Sequence, residues 1–148
     1  MKLNGTHKFK ASGTQVFNAI LDPKILKSAI PGCNAVTFAS PEQATVEITT
    51  PLPGLHGPFS VDLAITNKQA PSSLKLETHL NGKEGSIDAV CNITIADEAD
   101  GSLLSYEATA DLAGVVAMAD NPIGRPIVNA SLKSFFNNLE KALEASLV

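Results

Sequence analysis

The sequence predicts an α+β fold: one curved antiparallel sheet of six or seven strands wrapped around a long C-terminal helix, with two short helices after the first strand. Three observations carry this. Between residues 44 and 112, apolar and polar residues alternate in short runs separated by turn residues, with no helical stripe between them. That is the pattern of an antiparallel meander. After residue 123 the apolar spacing changes to three and four, the period of a helix. A sheet with one apolar face must bury it, and only this tail helix is long enough to cover it. The chain of 148 residues is read as one domain spanning 1–148.

The first strand is read from residues 2–10. Leu3, Gly5, His7 and Phe9 share one face, and Lys2, Asn4, Thr6, Lys8 and Lys10 share the other. Ser12 stands three residues before Gln15, a capping-box spacing, and opens a short helix over 13–21 with Phe17, Ile20 and Leu21 at i, i+3 and i+4 as its apolar face. Asp22-Pro23 starts a second short helix, with proline at its first position, and Ile30-Pro31-Gly32-Cys33 ends it. The strands that follow direct Ala44, Val46 and Ile48 inward, then Phe59, Val61, Leu63 and Ile65, then Leu74, Leu76, Thr78 and Leu80. The last two place Ile87, Ala89, Cys91, Ile93 and Ile95, and then Leu104, Tyr106, Ala108, Ala110 and Leu112, on the same side. Proline and glycine between 51 and 58 mark a loop or irregular edge carrying His56. Ala70-Pro71-Ser72-Ser73, Asn81-Gly82-Lys83 and Asp97–Gly101 are turns. The tail helix is placed from 122 or 126 to 146, with Val128, Leu132, Phe135, Phe136, Leu139 and Leu143 on one stripe.

Composition narrows the function classes. The formal charge of −4 argues against nucleic acid, which is bound by clustered cations. The charge is uneven: residues 1–40 hold five lysines and one acid, whereas 84–120 hold eight acids and no Lys or Arg. That stretch reads as a solvated strand face or as an acidic docking edge. Cys33 and Cys91 have no CxxC partner, and the three histidines lack ligand spacing, so neither zinc nor another metal is expected. The opening residues show no signal-peptide core, so a cytoplasmic protein with reduced thiols is expected.

Many inward positions are small: Gly5, Ala44, Ala89, Cys91, Ala108 and Ala110. Small residues on a face that should be core predict either close helix packing or a pocket for an apolar molecule. The candidate lining comes from five places, the last of them Met118 before the tail helix. His7 and Phe9 lie on the first strand, and Phe59, Leu63 and Leu76 on the middle strands. Tyr106 lies on the last strand, and Val128, Leu132 and Phe135 on the tail helix. Met118 sits in the apolar segment before that helix, with Val115, Val116 and Ile123, as a lid, a membrane- or partner-facing patch, or ordinary packing. His7 is either a satisfied core histidine or the group that orients a ligand's polar head. Tyr106 needs a hydroxyl partner if buried.

Four segments resemble the CoxG-like family of carbon monoxide dehydrogenase proteins, within the START-like (SRPBCC) superfamily. They are Gly5 with the helix around Val16-Phe17, Asp22-Pro23 leading to Ile30-Pro31-Gly32-Cys33, Gly101 with Leu104-Ser105-Tyr106 running on to Leu112-Ala113-Gly114, and Phe135-Phe136-Asn137-Asn138-Leu139. The resemblance implies a helix-grip fold and a binding or accessory protein rather than a catalyst. Its expected ligand is a quinone or lipid, with no other cofactor. Its expected partners are the components of a molybdenum hydroxylase of the carbon monoxide dehydrogenase type, which it would help to mature or to reach the inner face of the membrane by peripheral contact. Two other readings stand beside it: a cavity enzyme of the same superfamily, a cyclase or hydrolase using His7 or Tyr106, and a ligand-free interaction module using the acidic 84–120 surface.

Overall fold

The computed structural model describes residues 2–49, 59–82, 85–114 and 124–146. The chain runs β1 (Lys2–Phe9), α1 (Gly13–Ile20), α2 (Pro23–Ala29), β2 (Cys33–Ser40), β3 (Gln43–Ile48), β4 (Phe59–Gln69), β5 (Ser73–Gly82), β6 (Gly85–Glu98), β7 (Gly101–Gly114) and α3 (Gly124–Ser146). The seven strands form one antiparallel sheet in the order β1-β7-β6-β5-β4-β3-β2, which leaves β1 and β2 at its edges. The inward faces read from alternation are those observed. Leu3, Gly5 and His7 pair with Ala108, Tyr106 and Leu104, and Ile93 and Cys91 pair with Tyr106 and Ala108.

β2 adds a strand whose alternation the sequence conceals. Its pairing with β3 shifts register between Cys33 and Ala35 and again between Phe38 and Ser40. Each irregularity displaces the side-chain period, so Cys33 comes inward opposite Ile48 out of phase with Val36 and Phe38, which lie inward opposite Val46 and Ala44.

The local signals act as expected. Ser12 Oγ accepts from the Gln15 amide at 3.3 Å while Gln15 Oε1 accepts from the Ser12 amide at 3.0 Å. Asp22 Oδ1 accepts from the Lys24 amide at 2.9 Å, and Pro23 follows at the helix start. α3 begins at Gly124, so Pro126 falls in its first turn, where a missing N–H costs no helical bond.

Sequence-distant bonds then fix the helices to the sheet. Gly13 N–H donates to Asp97 Oδ1 at 2.7 Å, and the buried Ser102 hydroxyl donates to the Ala11 carbonyl at 2.9 Å. Asn138 Nδ2 donates to the Ala29 carbonyl at 3.2 Å, so α3 caps the C-terminal end of α2. The main core lies at this end of the molecule, where Phe9, Val16, Phe17, Ile20, Ile93, Ile95 and Leu104 enclose Phe136, Leu139 and Leu143 of α3. A second cluster of Ala44, Val46 and Leu63 lies under β2.

Candidate functional site

The register divides the inner face into successive layers. Ile95 and Leu104, and then Ile93, Tyr106 and Leu74, are buried beneath the C-terminal half of α3. Beyond Tyr106 the inward side chains of β1, β6 and β7 are only partly covered, while Leu63 and Leu80 of β4 and β5, in the same layers, stay buried. Cys91, Ala108 and Leu3 form the next layer, Ala89, Ala110 and Thr78 the one after, and Ile87 and Leu112 follow; all are half-buried. Val128, Leu132 and Phe135 in the N-terminal half of α3 are half-buried too. The sheet and helix therefore pack fully at one end and incompletely at the other. A helix can press only part of its length onto a strongly twisted sheet, and alanines there supply too little volume to close the gap.

The sequence-predicted lining residues take distinct positions. Phe9 is 1% exposed and belongs to the main core. Leu63 lies in the second cluster, Leu76 packs against both clusters, and Phe59 is half-buried at the start of β4. Leu132 and Phe135 pack against the main core from α3. Met118, with Val115, Val116 and Ile123, lies outside the described residues, as does His56.

His7 and Tyr106 come together through a third ring. Tyr106 stacks on Phe136 with centroids 4.8 Å apart, and His7 lies 6.1 Å from the same ring and 4.7 Å from Phe9. The Tyr106 phenol lies across Gly5, where an added Cβ would stand 2.6 Å from its hydroxyl oxygen. Glycine in the edge strand is what lets the ring reach past it. His7 Nε2 is buried and has no hydrogen-bond partner among the described residues; Glu140 Oε1 is 3.8 Å away, beyond hydrogen-bond length. His7 and Tyr106 both line a notch of about 410 Å³ between β1 and α3, with Asn129, Lys133 and Asn137 of the helix on its other side. Sequence reading missed these three helix residues. Their signal was a polar stripe at four-residue spacing, Arg125, Asn129, Lys133 and Asn137, which puts them on one helix face.

The acidic 84–120 stretch divides between two places. Asp97 caps α1, and Glu98 and Asp100 face Lys8 at 3.8 and 3.4 Å. Asp88, Glu107 and Asp111 lie on the outer face, where the exposed His79 pairs with Asp88. A hollow of about 660 Å³ crosses that outer face past Asp62, Glu77, His79, Asp88 and Asp111. Glu84 and Asp120 lie outside the described residues. No group of three His, Cys, Asp or Glu side chains able to hold a metal occurs among the described residues. No helix among them is long and apolar enough to cross a membrane.

Burial pushes the Cys91 thiol up to about 11, from an ordinary value of 9.0. Burial, and after it the neighbouring Cys91, also raises the Tyr106 phenol. Both shifts favour the protonated group in the folded state. Their contribution to stability is complete below the unfolded-state value and is lost as pH rises through the folded one. Stability is therefore expected to fall between about pH 9 and 11. In Cys91→Ala the decline should be shallower in urea titrations across that range, and an unchanged slope would show that the thiol has no part in it. The same protonation leaves Cys91 slow toward alkylating reagents in the folded protein.

A family model named CoxG, for a component of carbon monoxide dehydrogenase, matches residues 5–144. The chain belongs to the CoxG family. The match takes in the Gly5–Tyr106 crossing, the Ile30–Cys33 turn and the Asn138 bond to α2. No curated protein matches. Among solved structures, a conserved protein from Geobacillus kaustophilus is similar over 99% of this chain and 97% of its own, with a TM-score of 0.89 and 21% identity. A START superfamily protein from Mycobacterium smegmatis is similar over 97% of each chain, with a TM-score of 0.75 and 12% identity. A Chromobacterium violaceum protein, CV1439, gives 0.76 at 15% identity, over 97% of this chain and 96% of its own. At these identities the likeness shows the fold, which is START-like.

Proposed function

We propose that this CoxG-family protein binds a hydrophobic small molecule, a quinone or lipid, and serves as an accessory factor for a molybdenum hydroxylase of the carbon monoxide dehydrogenase type. The observation that carries the binding part is the uneven packing of the inner face. On β6 and β7 the fully buried residues stop at Ile93 and Tyr106, and a band of half-buried Leu, Ile, Ala and Cys continues beyond them, flanked by buried Leu63 and Leu80 on β4 and β5. Such a band gains stability when an apolar molecule covers it, at roughly 25 cal/mol per Å² removed from water. Family membership supports the accessory part. The partner enzyme and contact with a membrane surface are parts of the same proposal.

The test is native mass spectrometry of protein purified from its own host, before and after organic extraction. A discrete apolar adduct is expected, and it should disappear in Ala108→Phe, whose added ring occupies the half-buried band. Protein that is ligand-free from the host, and that takes up neither quinone nor lipid in vitro, would reject the binding reading. Co-purification with a molybdenum hydroxylase tests the partner separately.

A further inference from the structure

The edge strand β1 and helix α3 do not close against each other along their whole length. A second hollow of about 480 Å³, lined by Lys2, Leu3, Asn4, Arg125, Pro126 and Asn129, continues the notch beside His7 and Tyr106. The two share Asn4 and Asn129, so they form one seam. The charged side chains lining it among the described residues are Lys2, Arg125 and Lys133, all cations, in a chain of net charge −4. Lys2 and Lys133 make no ion pair among the described residues. The remaining polar residues along it are Asn4, Thr6, His7, Tyr106, Asn129 and Asn137. Two carboxylates stand nearby without lining the seam: Glu140, beside His7, and Glu107, opposite Asn4 on β7.

We infer that this seam holds the anionic, oxygen-bearing head of an amphiphile, a carboxylate or phosphate, whose apolar chain lies along the half-buried inner face. The inference rests on the proposed binding of a hydrophobic molecule and specifies its head. Ammonium and amide N–H groups can donate to every oxygen of such a head, and no carboxylate in the lining opposes it. Leu3, Gly5 and Tyr106 belong both to the seam and to the inward face of the sheet, so a molecule seated there is continuous with the apolar band. A neutral head could accept hydrogen bonds from the two lysines but would lack the charge-assisted part of the interaction.

Oleate and oleyl alcohol, which share a chain and differ in head charge, separate the contributions. Delipidated protein at low salt is expected to bind oleate about tenfold more tightly than oleyl alcohol. Both lysines are exposed, so Lys2→Ala/Lys133→Ala should fold normally. That variant should lose the preference while holding oleyl alcohol within about twofold, and added salt should shrink the wild-type preference. Equal affinity for the two chains, or a preference that survives the double substitution, overturns the head-group inference and leaves apolar binding intact. Failure of both chains to bind overturns the lipid reading and this inference together. Inorganic phosphate that binds the seam as tightly as oleate overturns the amphiphile in favour of a free anion.

Discussion

Phe136→Ala is expected to lower the unfolding free energy by about 3–5 kcal/mol, the usual cost of removing a fully buried aromatic ring from a core. For a chain of this length that corresponds to roughly 10 °C in melting temperature. Phe136 is 2% exposed and is the ring on which others gather. Tyr106 stacks on it at 4.8 Å, Phe135 meets it edge-on at 5.0 Å, and His7 lies 6.1 Å away. Neighbouring side chains cannot collapse into the vacancy, because β1 and β7 are held by their hydrogen-bonded register on either side of Gly5 and Tyr106. The chain has one tyrosine and no tryptophan, so the near-ultraviolet circular dichroism of Tyr106 reports directly on loss of the stack. A loss below about 1 kcal/mol in urea titration, with the tyrosine band unchanged, would show that the ring is not the centre of the packing. Phe136→Leu, which keeps most of the apolar volume, should recover the larger part of the stability but not the tyrosine signal.

Gly32→Ala is expected to cost about 2–4 kcal/mol through a different mechanism, backbone strain combined with overpacking. Gly32 has φ of +74°, and its carbonyl accepts from the Thr49 amide at 2.9 Å. A Cβ built there stands 2.0 Å from the Thr49 carbonyl oxygen. The obstacle is backbone, so no rotamer change relieves it; either the Gly32–Thr49 bond breaks or the turn opens. The turn sets the entry of β2, whose pairing with β3 begins at Cys33 opposite Ile48. Hydrogen exchange at Thr49 should accelerate alongside the loss of stability. A variant that keeps both the protection of Thr49 and wild-type stability would exclude this account. The glycine of the Ile30-Pro31-Gly32-Cys33 segment is thus required by a close approach to the end of β3, beyond its part in stopping α2.

Much of this architecture is written locally. The alternation in β1 and in β4–β7, the Ser12 capping box, the Asp22-Pro23 helix start and the three-and-four spacing of α3 depend on side chains adjacent along an element, and each could be read before the fold was known. Gly5, Ala108 and Ala110 showed in advance that the inner face lacks bulk. β2 was not legible, because one extra residue between Cys33 and Ala35 and another between Phe38 and Ser40 interrupt its own side-chain period. The site divides in the same way. Its apolar face is determined by strand period, since a residue's side of a sheet follows from its parity. The meeting of His7, Tyr106 and Phe136, the Asn138 bond to α2 and the cationic seam of Lys2, Arg125 and Lys133 join residues far apart in sequence. Their distances are set by how far α3 lies from an edge strand, and that separation is a property of the packed molecule which no local pattern encodes.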